Sequence, residues 1–265
     1  MNYMGKGSCH HGSCEMNNDT LDKILDGRLR IYQRKRGYRY SLDAVLLAHF
    51  ISLKSKDKAI DLGTGSGIIP LLLASRYPHV DWIGLEIQEQ LVRLAQKSIL
   101  LNGMQDHIEI VCGDARKIKD IFSACSFNIV SFNPPYRRIN SGRINPDLEK
   151  AIARHEIEGS LKDFLRAANY LLKPGGRVFT IYPAKRLAEL IYLFRINEIE
   201  PKIMELVFSD ADSTAAFVLV EGRAGSREEL IIKPPLFIYD NNKKYTSQMK
   251  NIFSGLAGAV IPGGD

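Results

Sequence analysis

Asp61-Leu62-Gly63-Thr64-Gly65-Ser66-Gly67 decides how the chain folds. The apolar run Lys58–Leu62 ahead of it reads as a strand, and Gly67–Arg76 behind it reads as a helix. The glycines therefore occupy a strand-to-helix turn. Small residues at Gly63, Gly65 and Gly67 let the backbone approach a ligand closely, and the next helix offers free N–H groups. A dinucleotide fingerprint would need glycine at position 68, where the chain has Ile68. Asp61 would also repel a pyrophosphate, whereas it would tolerate a cation.

Outward from this loop, strand and helix patterns alternate. Strands are expected at Lys58–Leu62, Asp81–Glu86, His107–Cys112, Phe127–Phe132 and Arg177–Tyr182, with later ones at Ile203–Phe208 and Ala215–Glu221. Helices are expected at Gly67–Arg76, Gln88–Asn102, Ala115–Phe122, Leu148–Leu172 (with a break at Gly159) and Ala184–Asn197. Gly103 and Lys173-Pro174-Gly175-Gly176 supply stops and turns. This order predicts an α/β fold, a doubly wound, mostly parallel sheet. Ahead of it, residues 21–33 read as a hairpin turning at Asp26-Gly27, and Ser41 reads as the cap of a helix to about Ser52 with Leu42, Val45, Leu46 and His49 or Phe50 on one face. The expected organisation is a disordered leader over 1–20, one domain over 21–240 and a weakly structured tail over 241–265.

Acids recur at successive strand ends. Glu86 closes Trp82-Ile83-Gly84-Leu85-Glu86, where a carboxylate can accept both hydrogen bonds of a ribose diol. Asp114, in Gly113-Asp114-Ala115, either accepts from an adenine amino group or caps a helix. Asp61 either faces a cationic ligand or bonds backbone amides. Ligands of open α/β sheets bind at this edge.

Asn133-Pro134-Pro135-Tyr136 ends the fourth strand of the pattern. A planar amino nitrogen is a poor nucleophile because its lone pair is delocalised. The Asn133 side-chain oxygen and the Pro134 carbonyl could accept its two N–H groups and favour a pyramidal nitrogen. Pro134 and Pro135 stiffen the backbone, so the acceptors are placed beforehand. Tyr136 offers a face for an unstacked base. A Pro-Pro turn after a strand also occurs for structural reasons alone.

The net charge of +6 is modest, but from Arg28 to Leu42 the chain has six basic residues and no acid, and Arg137, Arg138 and Arg143 follow the Asn-Pro-Pro-Tyr segment. Such clusters suit a polyanion and also suit a solvated surface. Hydrophobic content of 45% with 25% charged residues is ordinary for a globular chain. The longest apolar runs, Ile68 to Ala74 and Ala215 to Val220, are too short to cross a bilayer, so a cytoplasmic location is expected. Cys112 and Cys125 read as core residues. Cys9-His10-His11 and Cys14 resemble a ligand cluster without a second pair, so no metal is expected, and Met16 is an alternative start.

Over about residues 57 to 222, the glycine loop and the strand-end acids resemble class I S-adenosylmethionine-dependent methyltransferases. That resemblance implies a seven-stranded Rossmann-like sheet with a small N-terminal hairpin and helix extension. It implies S-adenosyl-L-methionine held by Asp61, Gly63, Gly65, Gly67, Glu86, Asp114 and Ala115, with Asn133, Pro134, Pro135 and Tyr136 as the catalytic set. The Asn-Pro-Pro-Tyr motif is similar in adenine-N6, guanine-N2 and protein glutamine-N5 methyltransferases. Gly37-Tyr38-Arg39-Tyr40-Ser41-Leu42-Asp43-Ala44-Val45-Leu46-Leu47-Ala48 and Ala153-Arg154-His155-Glu156 add a closer likeness. With them the chain, over about residues 20 to 250, resembles the bacterial tRNA(Val) adenine-N6 methyltransferase family, which modifies the purine 3′ of the anticodon. The implied partner is tRNA, without a membrane or an obligate protein partner. Arg34, Lys35, Arg36, Arg137, Arg138 and His155 become the expected RNA contacts, although His155 suits a structural helix position equally. Asp43 either lines the cofactor pocket or complements a helix dipole. A non-catalytic RNA-binding protein on the same fold stays open as an alternative.

Overall fold

Five apolar runs that follow one another in the chain lie side by side as the parallel part of one sheet. They are β3 (Lys58–Leu62), β4 (Asp81–Glu86), β5 (Ile108–Cys112), β6 (Phe127–Phe132) and β7 (Leu172–Pro183), in spatial order β7-β6-β3-β4-β5. The structure is a computed structural model and describes residues 19–35, 39–134 and 159–257. The chain runs outward from β3 through β4 to β5, then crosses to the other side of β3 with β6. Order thus reverses between β3 and β6, which opens a crevice at their carboxyl ends.

Two later strands complete the expected seven. β9 (Ala215–Ala224) runs antiparallel between β7 and β8 (Ile199–Phe208). β8 accordingly points the same way as β3. Two short strands, β10 (Ile231–Ile232) and β11 (Leu236–Phe237), add parallel pairings along β8 that the sequence pattern did not suggest. The Lys173–Gly176 segment, expected as a turn, lies inside β7 instead. Pairing with β6 jumps there from Phe127↔Leu172 to Ile129↔Arg177, and Gly175 takes φ +73°. The excursion is a bulge, so the strand begins earlier than Arg177.

Strands buried on both faces need helices on both sides. One side is covered by α1 (Leu42–Phe50), α2 (Ile68–Arg76), α3 (Glu89–Leu101) and α7 (Ser247–Leu256). The other carries α4 (Ile118–Ile121), α5 (Leu161–Leu171) and α6 (Leu187–Ile196). Alternation within the strands serves both: Ala59 and Ile129 face the first core, Ile60 and Val130 the second. Ser160 and Asp163 form a reciprocal capping box that starts α5 just after Gly159. The expected helix upstream of Gly159 lies outside the described residues.

Ahead of the sheet, β1 (Asp19–Ile24) and β2 (Leu29–Arg34) pair as the expected hairpin. Its turn is Leu25–Arg28 rather than the two residues Asp26-Gly27, with positive φ at Leu25, Asp26 and Gly27. β2 is tied to α3 along its length. The Tyr32 amide donates to Ser98 Oγ at 2.9 Å, and the Asn102 side chain exchanges two hydrogen bonds with the Arg30 backbone, of 3.0 and 2.6 Å.

The α1 helix packs antiparallel to β7. Its final turn sits beside the middle of the strand, where Phe50 meets Phe179 edge-on at 6.1 Å and Arg177 donates to Ser52 Oγ at 2.8 Å. The N-terminus of α1 is thereby directed to the carboxyl edge. Ser41 holds the cap position, but its hydroxyl donates to Asp43 and accepts no backbone bond. His49 is exposed and Phe50 takes the buried position.

Two expectations are corrected. Residues 241–265 contain an ordered element: α7 is capped by Thr246 and buries Met249, Ile252 and Leu256 against the core shared by α1 and α2. Its pattern is short and polar residues interrupt it, which hid it in the sequence. Cys112 and Cys125 are exposed, because β5 is an edge strand and Cys125 occupies the φ +52° turn before β6. Among the described residues no helix is long and apolar enough to cross a membrane.

Ile252→Ala removes a side chain buried to 3% exposure and should cost about 2–5 kcal/mol. Urea unfolding checks this as a lowered midpoint with an unchanged slope. A shift no larger than that of the exposed Asn251→Ala would mean that α7 is loosely attached after all.

Candidate active site at the carboxyl edge of the sheet

Strand register brings the sequence-predicted residues to one edge. Leu62 pairs with Phe132 on one side and Leu85 on the other, and Glu86 pairs with Cys112. Asn133, Gly63, Glu86 and the start of Gly113-Asp114 consequently follow one another along the ends of β6, β3, β4 and β5. At about 4.8 Å per strand, these positions span about 14 Å. An elongated ligand fits such a row.

The glycine loop leaves β3 through three left-handed turns, with φ of +67° at Gly63, +58° at Gly65 and +78° at Gly67. Only glycine adopts these conformations without strain. The amides of Gly63 and Thr64 both donate to the Leu85 carbonyl, at 2.8 and 3.0 Å. Gly84 makes this close approach possible, since a Cβ there would lie 2.8 Å from Thr64 Cγ2 and 2.6 Å from Ile110 Cδ1.

Glu86 is 4% exposed and accepts from the amides of Gly65 and Gln88, both at 2.9 Å. It ties the loop to the end of β4, and each of its oxygens keeps acceptor capacity for a further donor. Burial pushes its carboxyl above the usual range, while the Gln88, Gly65 and Ile87 amides pull it back. Asp61 is 1% exposed and accepts from Ser131 Oγ at 2.7 Å across the β3–β6 pairing. Burial pushes its carboxyl up to about 7, opposed by the Ser131 and Thr64 hydroxyls and assisted by the negative Glu86. The Thr64 hydroxyl lies near enough to lower the Asp61 carboxyl. Like Ser66 Oγ, it is buried without a fully formed hydrogen bond among the described residues. Neither carboxylate has an ion-pair partner among the described residues.

Asp114 takes the capping role left open by the sequence. It accepts from the Arg116 amide at 2.8 Å and is gripped by the Arg116 guanidinium at 2.7–3.0 Å, which holds its carboxyl below the usual range. Ala115 begins the single turn that follows. Asn133 is half-buried and Pro134 buried directly after β6. Pro135, Tyr136, Arg137, Arg138, Arg36 and His155 lie outside the described residues. Arg34 and Lys35 sit at the end of β2, where the hairpin approaches the N-terminus of α1 through the Gln33 Oε1 bond to the Tyr40 amide at 2.8 Å. Other members of the basic segment are engaged within the protein: Arg39 pairs with Asp22, and Arg28 donates to the Ala257 carbonyl at 2.7 Å. The Asp43 carboxylate accepts from the Ala44 amide at 2.9 Å, at the α1 end that faces this edge.

Sequence reasoning missed Ser131, Arg116 and Phe164. Ser131 is the one polar residue inside Ile129–Phe132, a signal that an alternating-face reading could have used. Phe164 stacks obliquely on Phe132 at 5.5 Å and lies beneath Gly63, where a Cβ would come within 3.3 Å of its ring. Nothing local in the sequence announces that contact. Among the described residues no cluster of His, Cys, Asp and Glu could hold a metal ion, and the Cys9–Cys14 leader lies outside them.

Comparison with known proteins agrees with this geometry. The family described as methyltransferase small domain matches residues 42–194. The chain is 32% identical over 133 residues to the tRNA1(Val) (adenine(37)-N6)-methyltransferase of Porphyromonas gingivalis, covering 49% of this chain and 51% of that protein. It is 28% identical over 232 residues to the protein of the same name from Histophilus somni, covering 85% and 92%. The first of these matches thus spans about half the length of its relative. Among solved structures, a predicted O-methyltransferase from Agrobacterium tumefaciens superposes with a TM-score of 0.67 at 21% identity, covering 82% of this chain and 98% of that one. That likeness shows the fold.

The Asp61 carboxyl near 7 when folded, against 3.8 ordinarily, dictates a sign. Between these values the folded chain keeps a proton that the unfolded chain has lost, so stability falls as pH rises from about 4 to about 7. The loss is on the order of 4 kcal/mol. Asp61→Asn keeps an acceptor for Ser131 without the charge. Its urea midpoint should therefore gain on the wild type between pH 4.5 and pH 8, and a constant gap would refute the assignment.

Proposed function

We propose, for a chain that belongs to the methyltransferase small domain family, that it transfers a methyl group from S-adenosyl-L-methionine to the N6 amino group of an adenine in a tRNA anticodon loop. One observation supports this most. Asn133 and Pro134 emerge beside the glycine loop at the reversal of strand order, next to two buried carboxylates with no cationic partner among the described residues. Buried charges need compensation. A cationic ligand with an amino-acid end and a ribose answers that need, and the buried Thr64 and Ser66 hydroxyls, without a fully formed hydrogen bond among the described residues, accommodate further polar contacts. These residues fit the cofactor, whose sulfonium supplies an electrophilic methyl group.

Within this reading, Gly63, Gly65 and Gly67 let the backbone approach the cofactor closely, and Asp61 complements its positive charge. Glu86 holds the ribose hydroxyls with acceptor capacity left over from the Gly65 and Gln88 amides. Asp114 and Ala115 bound the nucleobase end, where Arg116 must share or release its carboxylate. The Asn133 side-chain oxygen and the Pro134 carbonyl accept the two N–H groups of the target amine and turn its lone pair toward the donor. Attack creates no oxyanion, so alignment supplies most of the acceleration and no strong general base is required. Pro135 stiffens this turn and Tyr136 supports the base. Arg34, Lys35, Arg36, Arg137, Arg138 and His155 contact the RNA.

The adenine and tRNA assignments draw on the names of the Porphyromonas gingivalis and Histophilus somni relatives. An unpaired loop base is also cheaper to present than one flipped from a duplex. A tRNA substrate accords with a cytoplasmic location.

Labelled cofactor incubated with unmodified bulk tRNA, followed by nucleoside mass spectrometry, tests the reading. N6-methyladenosine is the expected product. N2-methylguanosine would move the activity to guanine, and label in a protein glutamine would replace RNA as substrate. Asn133→Ala should lower single-turnover methylation by on the order of 10²-fold or more, with cofactor affinity by calorimetry nearly unchanged. Near-normal turnover in this variant would remove Asn133 from the reaction.

A further inference from the structure

The β8 side of the same edge bears an aromatic turn that the functional reading leaves unused. β11 runs beside the end of β8, and the chain continues past it: the Ile238 amide donates to the Phe208 carbonyl at 3.0 Å and the Tyr239 amide to that of Ser209 at 2.8 Å. Because β8 points the same way as β3, Tyr239 and the turn after it lie at the carboxyl edge, where Asn133 also lies. The turn is rigid. Asp240 accepts through its side chain from the amides of Asn242 and Lys244, and Tyr239 forms an antiparallel bridge with Tyr245.

The rings of Tyr239 and Tyr245 stack at 5.3 Å and 15°, and Phe253 of α7 meets Tyr245 at 5.2 Å and 66°. Tyr245 nevertheless stays 39% exposed. An exposed aromatic side chain with restricted rotation presents contact area at small entropic cost. Lysines lie close to it in the chain. Lys244 and Lys250 are exposed and form no ion pair among the described residues, while Lys243 is held by Asp210 at 2.7 Å.

We propose that Tyr245, with Lys244 and Lys250, forms a second nucleic-acid contact that stacks an unpaired base of the substrate RNA flanking the one to be methylated. This rests on the RNA reading above. β8 lies three strands from β6 in the order β8-β9-β7-β6, or about 14 Å at ordinary strand spacing, a separation that a short run of extended nucleotides bridges. Aromatic faces accept any base, and adjacent lysines neutralise the intervening phosphates. The contact would therefore strengthen binding and set the direction in which the loop crosses the edge, without reading the target base.

Fluorescence anisotropy of labelled tRNA against the full chain, over a series of salt concentrations, tests it. Tyr245→Ala should weaken binding by about tenfold, and Tyr245→Phe should restore it. Tyr245→Leu, which keeps apolar packing against Tyr239 and Phe253 but lacks a π face, should behave like the alanine variant. Lys244→Ala should flatten the slope of log affinity against log salt by about one. Cofactor affinity should stay at the wild-type value throughout. Wild-type binding by Tyr245→Leu overturns the proposal even if Tyr245→Ala fails to fold. Failure of the wild-type chain to bind any tRNA would instead overturn the RNA reading beneath it.

Discussion

The bond from the Glu86 carboxylate to the Gly65 amide is the contact on which the site depends. It joins the end of β4 to the loop leaving β3, and it keeps a carboxylate inside the protein with amides as its only described partners. The loop can bend this way because three glycines take left-handed conformations, and it can settle onto β4 because Gly84 has no side chain. The register of β6 against β3 then carries Asn133 to the same level. Backbone geometry comes first, and the placement of the polar groups follows from it.

A cost accompanies this arrangement. Two acids lie at neighbouring strand ends, both buried, with no cation among the described residues to offset them. A hydrophobic pair at these positions would pack without that electrostatic strain. Retaining the acids is understandable if a positively charged ligand is their counterpart, because such a ligand then stabilises the folded chain as well as occupying it.

Much of this was legible in the sequence because parallel strands are nearly continuous apolar runs between recognisable turns. Lys58–Leu62, Asp81–Glu86 and Phe127–Phe132 have the bounds that their apolar patterns suggest. The glycine loop and the strand-end acids needed only those strands to be aligned. Illegible were the features that depend on distant partners. Leu172 joins β7 because Phe127 lies opposite, and the grip of Arg116 on Asp114 chose capping over an open carboxylate. The basic stretch from Arg28 to Arg39 looked uniform, yet Asp22 and the Ala257 carbonyl engage two of its arginines. Pattern reading registers charge but not where its partner folds back from.

The bond between Arg28 and Ala257 joins positions 229 residues apart. Beside it, α7 covers a face of α1 and α2 that the rest of the sheet leaves open. On a ribosome, the hairpin and α1 emerge long before this covering helix does. The apolar residues of α1 must wait for the chain through α7 to be made before they meet this neighbour, and contacts of such long range form late. The nascent chain thus passes through a stage in which its sheet can assemble while one flank is still wet, and the emergence of α7 is what dries it.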